Sequence, residues 1–230
     1  MTDALERMRG RLVVSVQAAP ESPLAAPGHL AAIARAVELG GAAGIRTEGV
    51  AAVTAIREAV YVPVIGLVKR RVSGSEVYIT PQLEDALAVA EAGADLVAVD
   101  ATERPRPDGR GGAEFVAALA DELPGRIVAD VDRLSAGVAA ADAGAAALAT
   151  TLSGYTTATE PSASPDVALV ADLAAELDVP VLAEGRYATP ADVRAAFAAG
   201  ALAVVVGTAI TDPRALTRRL AAATPGGADG

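Results

Sequence analysis

Eight copies of a strand followed by a helix run through this chain of 230 residues. Each copy has a short run rich in Val, Ile and Leu, then a loop, then an Ala- and Leu-rich segment with apolar residues at helical spacing. The predicted strands are RLVVSVQ, AAGIR, VPVIGLVK, ADLVAVD, RIVADV, AALATTL, PVLAEGR and ALAVVVGT. Because continuous apolar strands alternate with helices, they predict a parallel sheet buried on both faces and, with eight repeats, an α/β fold closed into a (β/α)8 TIM barrel.

The connections between these elements differ in length at the two ends of the barrel. Helices run into the next strand through short joints that contain glycine, ELGGAAG, EAGADL, DAGAAA and AAGALA, which predict left-handed helix C-caps. Three strand-to-helix loops are long: RRVSGSEVYITPQ, ATERPRPDGRGG and SGYTTATEPSASP. Strand-to-helix loops gather at the carboxyl end of a parallel barrel, where active sites lie. We therefore expect one catalytic barrel domain over residues 11–224, flanked by flexible segments 1–10 and 225–230.

The composition excludes several classes of function. The hydrophobic content of 52% supplies a large core, and the net charge of −10 without a basic stripe argues against partners that are nucleic acids or anionic membranes. The absence of cysteine excludes disulfides, thiolate metal sites and a cysteine nucleophile. With a single histidine and no metal motif, we expect no metal and no cofactor.

The start of the chain, MTDALERMRGRL, is charged and lacks the apolar core of a signal peptide. No apolar run approaches the ~20 residues of a membrane span. These features predict a cytoplasmic protein.

The strand ends carry an unusual number of polar side chains. In a barrel, the last residues of the strands would meet at one mouth; they are Gln17, Arg46, Lys69, Asp100, Asp130, Thr150 or Thr151, Glu184 and the pair Gly207-Thr208. Charged groups at half-buried positions are costly unless they are paired or used. Their convergence predicts a functional cluster.

Lys69 is the only lysine among the 19 lysines and arginines of the chain. Arginine stays protonated in proteins, whereas lysine can exchange its proton when its surroundings favour the neutral amine. A chain that uses arginine elsewhere would keep a lysine where proton transfer or imine formation is needed. An ordinary ion-pair lysine is the alternative.

The other polar strand ends have simpler alternatives as well. Glu184 could form a salt bridge to Arg186, and Asp130 could cap the following helix. Arg46 is suited to bidentate binding of a carboxylate or a phosphate.

Two glycines end the last two strands, in AEGRYATP and VVGTAITDP. Barrels commonly bind phosphate with the backbone N–H groups of the loops after strands 7 and 8, and Gly185 and Gly207 would let the backbone approach an anion closely. A role as simple turns is the alternative.

Motifs from all eight repeats resemble one enzyme family. The segments GAAGIRTEGV, VPVIGLVKR, VYITP, RPRPDG, TTLSGYT, AEGRYATP and AVVVGTAIT are similar to those of the N-acylglucosamine-6-phosphate 2-epimerases. The resemblance, from about Arg11 to Arg219, implies a barrel of the ribulose-phosphate-binding type. It also implies an isomerase that interconverts N-acetylmannosamine 6-phosphate and N-acetylglucosamine 6-phosphate in the catabolism of sialic acids and amino sugars.

The resemblance also implies roles for individual residues. The family's proton-transferring lysine corresponds to Lys69 and its catalytic glutamate to Glu184; its substrate-binding positions correspond to Gln17, Arg46, Asp130, Gly185, Arg186, Gly207 and Thr208. We expect Asp130 to hold Lys69 in place. The implied partner is a small sugar phosphate, with a homodimer as a possible assembly.

Three other functions remain open from the residues alone. A Schiff-base aldolase or lyase would use Lys69 to form an imine with a phosphorylated carbonyl compound. Another phosphate-binding isomerase or synthase barrel would share the loops after strands 7 and 8. A non-catalytic barrel would bind the sugar phosphate as a sensor.

Overall fold

The computed structural model describes residues 2–226 and contains a closed barrel of eight parallel strands. The strands are β1 (Arg11–Ser15), β2 (Gly44–Glu48), β3 (Val64–Leu67), β4 (Leu96–Asp100), β5 (Ile127–Asp130), β6 (Ala147–Ala149), β7 (Val181–Glu184) and β8 (Ala203–Val206). Each strand pairs with its neighbours in sequence, and β8 closes the ring on β1. The predicted (β/α)8 barrel is confirmed.

Helices cover the outside of the barrel. They are α1 (Asp3–Met8), α2 (Pro27–Leu39), α3 (Val50–Ala59), α4 (Leu83–Glu91), α5 (Gly112–Glu122), α6 (Leu134–Asp142), α7 (Val167–Glu176), α8 (Pro190–Ala198), α9 (Thr208–Thr211) and α10 (Pro213–Ala221). None of the helices in residues 2–226 is long and apolar enough to cross a membrane.

Side chains alternate between the two faces of each strand and so divide the hydrophobic core into a part inside the barrel and a part beneath the helices. In β1, Val13 packs inside the barrel with Ile65 and Leu96 of other strands, whereas Val14 packs outward with helix residues such as Leu30. Both faces are therefore apolar, as the continuous hydrophobic strands predicted. Trimming a fully buried Leu or Ile in such a core to Ala costs about 2–5 kcal/mol.

The segment expected to be a flexible N-terminus is instead a packed helix. The side chains of Leu5 and Met8, one turn apart on α1, are fully buried and belong to the same cluster as the barrel interior. Their burial covers apolar residues at the amino end of the barrel, which would otherwise face water. Of the tail predicted at 225–230, residues 227–230 lie outside the described residues.

The glycine joints between helices and strands adopt the predicted left-handed backbone. Gly41, Gly93, Gly144 and Gly200 have φ angles of 96° to 102°. A side chain would strain this conformation, so these glycines let each helix end sharply before the next strand. The short joints leave the long loops at the opposite, carboxyl end of the barrel.

Candidate active site

A cavity of about 850 Å³ opens at the carboxyl end of the barrel. Eight of the nine predicted site residues line it: Gln17, Arg46, Lys69, Glu184, Gly185, Arg186, Gly207 and Thr208. The ninth, Asp130, is fully buried and bonded to Arg46. The structure therefore brings the predicted residues together.

Arg46 and Asp130 form a buried ion pair. Nη2 of Arg46 donates to Oδ2 of Asp130 at 2.6 Å, and Nη1 donates to Oδ1 at 3.0 Å. Burial alone would lower the pKa of Arg46, but the charges of Asp130 and Glu184 outweigh it and hold that pKa above its ordinary value. Arg46 is therefore a permanent cation. The carboxylate that it binds through two hydrogen bonds belongs to Asp130 of the protein and not to a ligand.

Glu184 lies beside this ion pair. Its Oε2 is 3.2 Å from Nη1 of Arg46 and 3.2 Å from the hydroxyl oxygen of Thr151. Burial raises the pKa of Glu184; the positive charge of Arg46 opposes this effect, and the negative charge of Asp130 adds to it. A carboxyl group that retains its proton to higher pH than usual is suited to act as a general acid.

Lys69 lies just beyond β3, and its amine contacts side chains from β2 and from the residues that follow β1. Its Nζ donates to Oε1 of Gln17 at 2.5 Å and lies 3.6 Å from Oε2 of Glu48. We expected Asp130 to hold this lysine, but Asp130 is bonded to Arg46 and Thr151 instead. Residue Lys69 also forms an antiparallel bridge with Ile79, so the backbone of the long loop after β3 supports the lysine.

The loops after β7 and β8 form the opposite wall of the cavity. Gly185 has a φ angle of 111°, which few residues other than glycine adopt. Gly207 precedes the short helix α9, whose first N–H groups, including that of Thr208, have no acceptor within the helix. A Cβ atom on Gly207 would lie 3.2 Å from Cβ of Ser15, so this wall has little room for a side chain.

The side chain of Arg186 braces the loop after β6. Its Nε and Nη2 donate to the carbonyl oxygens of Ser164 and Ser153 at 2.8 and 2.9 Å. The guanidinium also lies 4.8 Å from the centre of the Tyr155 ring. The Arg186 side chain is thus largely engaged within the protein, and its backbone is the part suited to bind an anion in the cavity.

Sequence reasoning missed Glu48 and Tyr78, which both line the cavity. Glu48 lies two residues after Arg46, and residues at this spacing share one face of a strand. The spacing could therefore have identified Glu48 as a site residue from the sequence. Tyr78 lies in a loop, where no periodicity applies; burial and the charges of Asp130 and Asp100 raise its pKa.

Thr150 and Thr151 are neighbours in the sequence, but their side chains have different surroundings. The hydroxyl of Thr150 bonds to backbone groups of Glu184, whereas Thr151 lines the cavity. Asp100, another polar strand end, is buried in an ion pair with Arg104. Residues 2–226 contain no group of three or more His, Asp or Glu side chains placed to hold a metal ion.

Fold and site together define the class of protein. Ionisable side chains from β2 and β7 and from the end of β3 line one cavity, at the end of the barrel where this fold carries out catalysis. The protein is a (β/α)8-barrel enzyme.

Comparison with known proteins gives the family within this class. The family model described as "Putative N-acetylmannosamine-6-phosphate epimerase" (NanE) matches residues 30–225. The chain therefore belongs to the NanE family, and the resemblance found in the motifs is confirmed.

Individual relatives match over nearly the whole chain. The "Putative N-acetylmannosamine-6-phosphate 2-epimerase" of Caldanaerobacter subterraneus is 43% identical over 94% of this chain and 92% of its own. The protein of the same description from Synechococcus elongatus is 47% identical over 90% of each chain. The solved structure of the N-acetylmannosamine-6-phosphate 2-epimerase from Clostridium perfringens is 36% identical, with a TM-score of 0.90 over 95% of both chains.

Proposed function

We propose that Lys69 and Glu184 are the two proton-transferring groups of an epimerase that inverts C2 of N-acetylmannosamine 6-phosphate to give N-acetylglucosamine 6-phosphate. As a member of the NanE family, the protein is an isomerase of N-acetylmannosamine 6-phosphate. The reaction serves the catabolism of sialic acids and related amino sugars.

One observation carries the assignment of the two residues. Lys69 follows β3 and Glu184 ends β7, two strands that stand opposite each other in the eight-stranded ring, and both side chains line the same cavity. Inversion of a carbon centre requires that a proton leave one face and that another arrive on the opposite face. Groups on opposite sides of the cavity meet this requirement.

The chemistry follows from the acidity of the C2 hydrogen. This hydrogen is acidic only next to a carbonyl group, so the open-chain aldehyde form reacts. The neutral amine of Lys69 takes the proton from C2, and the electron pair of the C–H bond passes into the enolate. Protonated Glu184 then delivers its proton to the other face of C2. Arg46, fixed by Asp130, stabilises the developing negative charge.

Binding of the phosphate group supplies the alignment. The backbone at Gly185-Arg186 and Gly207-Thr208 offers N–H groups to an anion, on the side of the cavity formed by the loops after β7 and β8. Gln17 orients the lysine and faces the sugar. The homodimer and the cytoplasmic location that we expected from the sequence stay predictions.

Proton NMR in deuterium oxide tests the roles of Lys69 and Glu184. The native protein should convert N-acetylmannosamine 6-phosphate into product with deuterium at C2. Lys69→Arg keeps the charge but not the exchangeable amine, so its rate should fall about 10²- to 10⁴-fold. Glu184→Gln should lose inversion to a similar extent while deuterium still enters C2 of the unreacted substrate from the lysine side.

Arg70→Lys is the matched control, because Arg70 is paired with Asp85 outside the cavity. It should turn over at the native rate. A Lys69→Arg variant that epimerised at the native rate would exclude Lys69 as the base.

A further inference from the structure

The hydroxyl group of Thr151 lies between the two carboxyl groups of the site. Its Oγ1 is 2.7 Å from Oδ1 of Asp130 and 3.2 Å from Oε2 of Glu184. A threonine hydroxyl carries one proton, so it donates to only one of the two carboxyl groups at a time. The second contact is a hydrogen bond only if the other carboxyl group brings a proton of its own.

Asp130 is the carboxyl group that receives the proton of Thr151. It is fully buried and accepts two hydrogen bonds from Arg46, which keep it a charged acceptor. The contact from Thr151 to Asp130 is also the shorter of the two. If Glu184 were ionised as well, its Oε2 would face a lone pair of Thr151 in a site removed from bulk water.

We propose that Thr151 is a positioning residue that holds Glu184 in its protonated form, by accepting the proton of Oε2 while donating its own proton to Asp130. The inference rests on the proposed role of Glu184 as the acid and adds the residue that keeps this acid loaded in the free enzyme. The last torsion of a glutamate side chain is soft. The carboxyl group therefore turns away from Thr151 and presents the same proton to C2.

The charged groups around Glu184 have opposing effects on its protonation. Those that face it are Arg46, Lys69 and Asp130, with Tyr78 close to Asp130. Arg46, and Lys69 whenever its amine carries a proton, favour the ionised carboxylate, and Asp130 favours the protonated acid. Thr151 is neutral, so its effect depends only on the direction of its hydrogen bond.

A titration of Glu184 in the full-length protein without substrate measures that direction. Glutamate carboxyl groups labelled with carbon-13 are followed by NMR against pH, and the signal of Glu184 is identified by its absence from Glu184→Gln. Thr151→Val keeps the shape of the side chain but removes the hydroxyl group, and Thr151→Ser retains it.

In Thr151→Val the pKa of Glu184 should fall, because protonated Glu184 loses its acceptor, and kcat should drop about 10- to 100-fold with KM little changed. Thr151→Ser should retain both values. A pKa of Glu184 that rose in Thr151→Val would mean that Thr151 donates to an ionised Glu184; this result, or an unchanged pKa, would overturn the proposal.

The test does not depend on one variant. If Thr151→Val does not fold, Thr151→Ala removes the same hydroxyl group without a branched side chain. In the native protein, a Glu184 signal that titrated like an exposed glutamate would also refute the proposal. Failure of the proposed function gives a different result, namely epimerisation by Glu184→Gln at the native rate.

Discussion

Asp130 on β5 accepts hydrogen bonds from both terminal nitrogens of Arg46 on β2, so a buried ion pair spans the mouth of the barrel. The side chains of Arg46 and Asp130 are only 1% and 0% exposed. Removing both charges from water costs free energy that their attraction largely offsets, so the pair adds little net stability. Its contribution is geometric, because Nη1 of the same guanidinium lies 3.2 Å from Oε2 of Glu184 and so helps to place that carboxyl group.

Removing one member of this pair should be far more costly than removing both. In Asp130→Asn the guanidinium of Arg46 keeps its charge and loses its bidentate partner, so the free energy of unfolding should fall by about 3–5 kcal/mol. Unfolding in urea, followed by circular dichroism, measures the change.

The double variant Arg46→Met with Asp130→Leu replaces the pair by apolar side chains. It should regain most of the lost stability without regaining epimerase activity. A loss below about 1 kcal/mol in Asp130→Asn would contradict the account of the buried charge.

Gln17 is predicted to aim the amine of Lys69. Its amide accepts from Nζ at 2.5 Å and is itself anchored, since its Nε2 donates to Oγ of Ser15 at 2.9 Å. Gln17→Leu should therefore lower kcat about 10- to 100-fold, because a small misplacement of the base is costly. Ser15→Ala, which loosens the anchor only, should have a smaller effect. Steady-state kinetics on both variants separate the outcomes: a raised KM with unchanged kcat would assign Gln17 to substrate binding alone.

Much of this architecture could be predicted from the sequence because it depends on local patterns. Strand and helix periodicity gives the eight repeats, and the parallel barrel then brings the strand ends to one mouth. Lys69, Arg46 and Glu184 were predicted to meet for this reason.

Pairing between side chains was harder to predict. Nothing in the local sequence shows that Asp130 contacts Arg46 and not Lys69, since two strands of the ring, β3 and β4, lie between Arg46 and Asp130. The helix α1 was missed because only two of its side chains, Leu5 and Met8, are buried, and the apolar surface that they cover belongs to distant parts of the chain.

The phosphate group of the substrate should contribute to catalysis as well as to binding. Backbone groups at Gly185 and Gly207 lie on a different wall of the cavity from Lys69, so the phosphate would align C2 from a distance. With N-acetylmannosamine lacking the phosphate, kcat should fall together with affinity. The measurement is kcat and KM for both sugars by the NMR assay; an unchanged kcat would contradict this role.

The protonation of Glu184 should also be visible in the stability of the fold. Burial, aided by the charge of Asp130 and opposed by Arg46, raises the pKa of Glu184 above the ordinary 4.5. The folded protein therefore binds a proton in the pH range where the unfolded chain has released it, and its stability falls as pH rises through that range. Glu184→Gln cannot ionise and lacks this loss.

The free energy of unfolding of Glu184→Gln relative to the native protein should thus increase from the acidic side of pH 4.5 towards neutrality. Urea unfolding at a series of pH values measures the difference, with Glu58→Gln on the exposed surface of α3 as the control. A difference for Glu184→Gln that did not change with pH would show that Glu184 titrates alike in the folded and unfolded states and is ionised near neutrality, and the acid would then have to be another group.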